Sequence, residues 1–407
     1  MEGEFSNNWN NLNSDGQAGQ FNQAGQNLQP GQFNQAGQNL QAGQISQPEQ
    51  SGLYGTMGQA GYSQPVYTQP MQQEDYRKPM RKAYCRMEWK ILVYAAIATV
   101  MQVLYSVGLP ALFGDDIVNR EWYVWGMMIV PMYMIAFPLF LLIAGNKDRV
   151  QIMQHKMGVG KWLIAVLMCA GICGVGAVIG TLIDTVVSLL CNTSSGDTVT
   201  LQNLMLGSNP FFRILTVGIL APIVEEMIFR KTIIDRTVKY GEGVAIVTSG
   251  IMFGLFHGNF TQCFFAAGLG ILFAYIYIRT GRIRYSISLH MAVNLTTSVV
   301  SVGVMQWAGF DQIMAMQDDP VALESMMMDI LPKILVVYGW IGILCCLALA
   351  GVILIIVSLA KKKFYLVKPP KHVAKGGLTA AWINWGMLLF MLYIIFLFVS
   401  NYVNFNL

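Results

Sequence analysis

Apolar residues in this chain come in long blocks, not in the alternating or one-face patterns of a soluble fold. The first block runs from Ile91 to Phe113, and others follow near 122–144, 160–190, 210–237, 243–258, 261–279, 285–307, 334–360 and 380–403. Most approach or exceed the roughly 20 residues that a helix needs to cross a bilayer. The pattern predicts an all-α fold, a polytopic transmembrane helical bundle of about nine spans. The 243–258 block is short and is joined to the next by a few residues around Asn259, which predicts a tight helical hairpin. The 160–190 block is long and carries Gly171, Gly174, Gly176 and Gly180, residues that allow close packing or a kink. Asp184 is the lone acid within it.

The polar residues between blocks give the expected orientation. Arg77, Lys78, Arg81, Lys82, Arg86 and Lys90 form a basic collar before the first block. By the positive-inside rule the collar and everything before it stay cytoplasmic. Nine crossings then predict basic inner connections, and Lys147, Arg149, Lys156 and Lys161, then Arg236 and Lys239, then Arg279, Arg282 and Arg284, then Lys361, Lys362, Lys363, Lys368, Lys371 and Lys375 fall there. Outer connections should be poor in Lys and Arg: 191–209 has none, and 308–332 carries Asp311, Asp318, Asp319, Glu324 and Asp329. The C-terminus would lie outside.

Residues 1–76 differ in kind. They repeat GQFNQAGQNLQ at 19–29 and 31–41, are rich in Gln, Asn and Gly, and hold six acids without a Lys or Arg. Such a segment buries too little apolar area to offset its ordering entropy, so a disordered cytoplasmic tail is expected, a tether or a binder of a cytoplasmic partner. The chain thus divides into the tail at 1–76, the collar and first three spans at 77–209, a polar-centred core at 210–307, and an outer acidic loop with the last two spans at 308–407.

Composition agrees. With 54% hydrophobic and 12% charged residues over 407, the chain is not a soluble multidomain enzyme. The formal charge of +4 conceals +10 outside the tail, but that excess sits at block edges, which points to topology and not to nucleic acid. The seven cysteines form no CxxC or metal-finger spacing and read as small buried hydrophobes. No cleavable leader is expected.

Against this background the stretch 221–294 stands out, because apolar blocks there contain Glu225, Glu226, Arg230, His257, His290 and Asn294. Ionisable groups in hydrocarbon are costly and mark function by default. Within APIVEEMIFR, Glu226 and Arg230 are four apart and share a helical face, whereas Glu225 points about 100° away from Glu226. One acid can therefore be held by the arginine while the other meets a reactant. Phe253 with His257, in FGLFHG, and His290 with Asn294, in HMAVN, repeat the four-residue spacing. At 1.5 Å per residue from the basic edges, Glu225 lies roughly 16 Å deep, His257 roughly 21, His290 roughly 9 and Asn294 roughly 15. These depths allow one common layer, provided that Arg230 is buried with a glutamate and does not mark the interface.

These three elements match, in order, the EExxxR, FxxxH and HxxxN motifs of the CAAX protease and bacteriocin-processing family of intramembrane endopeptidases, which the region from about Phe211 to Val300 resembles. The resemblance implies a protease-like core at 210–307, with a polar cavity on which the site residues converge. Glu225 would be the general base, helped by His257; His290 and Asn294 would serve the oxyanion; Glu226 and Arg230 would orient the first carboxylate; Phe253 would wall the site and place His257. HExxH is absent, and the family has been described both as metal-dependent and as glutamate-dependent. A zinc ion, if present, would take Glu225, His257 and His290. The implied substrate is a membrane-inserted or lipidated, including prenylated, peptide or protein, in a multi-pass protein of a bacterial cell membrane. A non-catalytic scaffold or immunity protein and an ion or proton pathway are the rival readings.

Overall fold

The computed structural model describes residues 76–193, 204–310, 320–367 and 376–402. The tail reading at 1–75, the expected outer residues at 194–203 and 311–319 and the expected inner residues at 368–375 lie outside the described residues. The described secondary structure is all helical: α1 is Arg77–Phe113, α2 Glu121–Ala144, α3 Val159–Cys191, α4 residues 210–240, α5 Glu242–Leu255, α6 Phe260–Thr280, α7 Ile283–Trp307, α8 Pro320–Ala360, α9 Gly377–Trp382 and α10 Trp385–Ser400.

Among the described residues, six helices are long and apolar enough to cross a membrane: α1, α2, α3, α6, α7 and the Leu331–Ala360 part of α8. The other three expected spans are also helical, but α5 and α10 are short apolar helices and α4 is loaded with charge. Two expectations are corrected. Residues 320–332 are not loop, because α8 starts at Pro320 and runs 41 residues through Pro332. His257 is not inside a helix: α5 ends at Leu255, since Gly258 turns at φ +71° and the Asn259 side chain accepts from Gln262 N–H (2.9 Å) to start α6.

The bundle is arranged around α6, which packs along α5 on one side and α3 on the other. Gly250 of α5 and Gly270 of α6 let two backbones touch, for a Cβ on Gly270 would stand 2.8 Å from the Gly250 Cα. Side-chain-free crossings of this sort are a common packing device in hydrocarbon. Outer faces expose large apolar groups such as Leu104, Val178, Leu349 and Phe396, whereas Arg213, Glu226, Arg230, Arg236 and Glu242 are buried. That inside-out distribution suits a lipid surround.

Candidate active site

The helix α4 carries the first motif through an irregular stretch. Wide, π-type turns at Ile214–Leu220 and Met227–Ile234 bracket the short α-helical segment Ala221–Glu226. Such turns recur at functional sites because they rotate following side chains and free backbone carbonyls. Pro222 adds to this by lacking an N–H, which leaves a carbonyl of the preceding turn without its helical partner. Asn294 of α7 supplies a replacement, its amide donating to Val217 O at 2.9 Å. One of its two N–H groups is therefore committed to joining α7 to α4.

The two glutamates have separate environments. Glu226 is fully buried and forms an ion pair of 3.1 Å with the equally buried Arg230, one turn on. His290 Nδ1 lies 3.2 Å from Glu226 Oε1, and its Nε2 lies 3.7 Å from Glu225 Oε2. The Glu225 side chain is 26% exposed, against none for Glu226. His290 thus stands between one sealed carboxylate and one open one. A carboxylate accepts, so Nδ1 donates to Glu226 and Nε2 faces Glu225, just beyond direct hydrogen-bond reach.

Arg230 is enclosed further. Its Nη2 lies 3.4 Å from the Gly270 carbonyl, its guanidinium carbon sits 4.4 Å above the centre of the Phe253 ring, and Phe273 lies 5.5 Å away. Cation–π contacts of this kind add about 2 kcal/mol when desolvated. Phe253, itself buried, meets His257 and His290 edge-on, with ring centres 5.1 and 5.6 Å apart. It is a central packing residue, in contact with the arginine and both imidazoles. His257 Nδ1 donates to Phe253 O at 2.9 Å; a carbonyl can only accept, so in the neutral ring Nε2 carries the free lone pair.

All the expected residues lie in this one region, but not all contact one another. Glu225, Glu226, Arg230 and His290 form a chain of polar contacts within 4 Å, and His257 joins them through Phe253. Asn294 is turned to Val217 instead of the carboxylates. The Gly270 carbonyl and Phe273 of α6 were not anticipated. A glycine and a phenylalanine in an apolar run carry no signal in residue type, and only the helix crossing brings them under Arg230. Among the described residues no three His, Cys, Asp or Glu side chains gather as a metal-ligand group. Glu225, His257 and His290 are not gathered into a three-ligand zinc set in this geometry, although each imidazole has Nδ1 held by an acceptor and Nε2 open, as metal-ligating histidines do.

Comparison with known proteins bears on this core. Residues 207–296 match the family model described as Type II CAAX prenyl endopeptidase Rce1-like. The chain is also similar to the putative membrane peptidase YdiL of Bacillus subtilis, 34% identical over 82 residues, which is 20% of this chain and 34% of that protein. With the membrane-embedded CAAX protease MroQ of Staphylococcus aureus it shares 32% identity over 92 residues, 21% of this chain and 37% of the relative. The chain spans about a third of the length of these curated relatives. No solved structure matches. Over this core the chain is similar to the Rce1-like type II CAAX prenyl endopeptidases.

Proposed function

We propose that this protein is an intramembrane endopeptidase that hydrolyses a peptide bond of a membrane-inserted or lipidated peptide by glutamate-activated water. The observation that carries this reading is the asymmetry of the glutamate pair: Glu226 is sealed between Arg230 and His290, while Glu225 alone keeps an accessible carboxylate. A general base must reach solvent and substrate, and its neighbour must hold it in place without competing for the water. The family-model match over 207–296 and two bacterial relatives named as a peptidase and a protease support the same assignment.

In this mechanism Glu225 takes a proton from water as the oxygen attacks the scissile carbonyl carbon. His257 accepts the water's other hydrogen at Nε2 and so orients it, its tautomer being set by the Phe253 carbonyl. His290, held at Nδ1 by Glu226, turns Nε2 to the developing oxyanion, joined by the second N–H of Asn294. Collapse breaks the C–N bond, and the proton held by Glu225 passes to the leaving amine. Glu226 and Arg230 hold His290 and the glutamate turn.

Nine crossings of a bacterial cell membrane, with the N-terminus cytoplasmic and the C-terminus outside, complete the proposal. It is supported by nine helical segments at the expected places and by the basic connections on one side. The test is hydrolysis of quenched membrane peptides by the purified protein, by Glu225→Gln and by His257→Ala, each with and without chelator. Glu225→Gln should lower turnover by about 10²–10⁴, with chelator leaving the wild type active. Equal turnover in all three proteins would sink the assignment, and loss on chelation restored by zinc would replace the mechanism with a metal-assisted one.

A further inference from the structure

A second polar site lies away from the glutamates, where α1 enters its apolar run and where α2 and α4 both end. A cavity of about 230 Å³ there is lined by Lys82, Arg86, Arg236 and Lys239 against the single carboxylate of Asp148, with Met87, Ala83, Pro79 and Tyr240 as an apolar wall. Four cations around one acid repel one another unless an anion joins them. Asp148 does not neutralise the group, because it is engaged with Arg86 at 3.0 Å in an ion pair about half exposed to solvent, and such pairs are weak.

Arg236 is the built part of this site. It is 1% exposed, yet it lies where a buried charge needs partners. Its guanidinium donates to Thr232 O (2.9 Å), to Ala144 O (2.9 Å) and to Gly145 O (2.5 Å), which caps the carboxyl end of α2. Lys90 donates to the same Ala144 carbonyl at 2.9 Å. After these bonds, Arg236 Nε remains buried without an acceptor. A fixed, buried guanidinium in the cavity lining, with Lys82 and Lys239 lining it too, is a recognition surface for a tetrahedral oxyanion.

We propose that this cavity binds the phosphate of an anionic phospholipid headgroup, with Arg236, Lys82 and Lys239 as ligands and Met87, Ala83 and Pro79 against the glycerol and upper acyl carbons. Phosphate chemistry alone would also suit a soluble phosphate. The lipid is favoured by position, since the cavity sits at the level where three helices pass from charged to apolar sequence and has an apolar wall beside its cations. None of these residues belongs to the glutamate site, so the proposal stands independently of the hydrolytic reading.

The experiment uses the full chain in neutral detergent, with spin-labelled phosphatidylglycerol or phosphatidylcholine as probe. Bound lipid is read on the wild type, on Lys82→Gln/Lys239→Gln and on Lys82→Arg/Lys239→Arg. Phosphatidylglycerol should be retained in preference to phosphatidylcholine, should bind roughly tenfold more weakly to the glutamine pair, and should be restored by the arginine pair. Equal retention of both lipids, or undiminished phosphatidylglycerol on the glutamine pair, would overturn the site. Inorganic phosphate and glycerol phosphate are added as competitors. Displacement of the lipid by low-millimolar inorganic phosphate would overturn the lipid assignment in favour of a soluble anion. Peptide hydrolysis by the glutamine pair in phosphatidylcholine should match that of the wild type, which separates this outcome from any failure of the catalytic reading.

Discussion

Glu225 and Glu226 are adjacent in sequence, and their substitution should fail in different ways. Glu226→Gln removes the counter-charge of a guanidinium that has no exposed surface. Breaking a buried pair from one side costs about 3–5 kcal/mol, so thermal unfolding in detergent should show a large loss for this variant. Glu225→Gln, partly exposed and in looser contact with His290, should unfold within a degree or two of the wild type while losing hydrolysis. Similar midpoints for the two variants would contradict the division of roles. The Glu226–Arg230 pair was legible in sequence because it is local: one turn of helix fixes it. The partner of Asn294 was not legible, because it depends on a carbonyl freed by Pro222 and on which helix lies opposite.

At the level of helices, α3 and α8 cross through glycines. A Cβ on Gly351 would collide with the Leu167 carbonyl oxygen and lie 2.6 Å from Gly171 N, and one on Gly171 would lie 2.6 Å from the Gly351 carbonyl carbon. Gly339 and Gly342, on the same helix, would meet nothing within 4 Å. Gly351→Val should therefore lower stability by about 1–3 kcal/mol or more, and Gly339→Val should be close to neutral, by thermal unfolding in detergent. Equal effects would mean that propensity, not contact, decides. The glycine-rich α3 announced close packing in the sequence, but its partner at this crossing lay in α8, far along the chain, and could not be read from composition. The start of α8 was misjudged for a physical reason: Glu324 and Asp329 look like loop residues when charge is taken as the mark of an exit from the membrane, yet a helix can continue beyond the bilayer edge.

For the whole molecule, the basic and acidic connections make a testable map. Single cysteines placed at 311–319 should react with an impermeant maleimide applied to intact cells, and cysteines at Lys147 or Lys361 only after permeabilisation. Protection of the first set would break the nine-span arrangement. Block hydropathy made the helical class plain, whereas the number of true crossings was harder to read because α4 mixes six charged residues from Glu225 to Arg236 into an apolar helix. That mixture also bears on biogenesis. Glu226 and Arg230 occupy one helix, so their charges cancel as soon as α4 is translated, before α6 and α7 have left the ribosome. A lone acid or arginine at the centre of a nascent span costs about 2.5–3.5 kcal/mol during insertion; if α4 crosses as proposed, it brings the neutralising partner of Glu226 into the translocon with it, before His290 arrives.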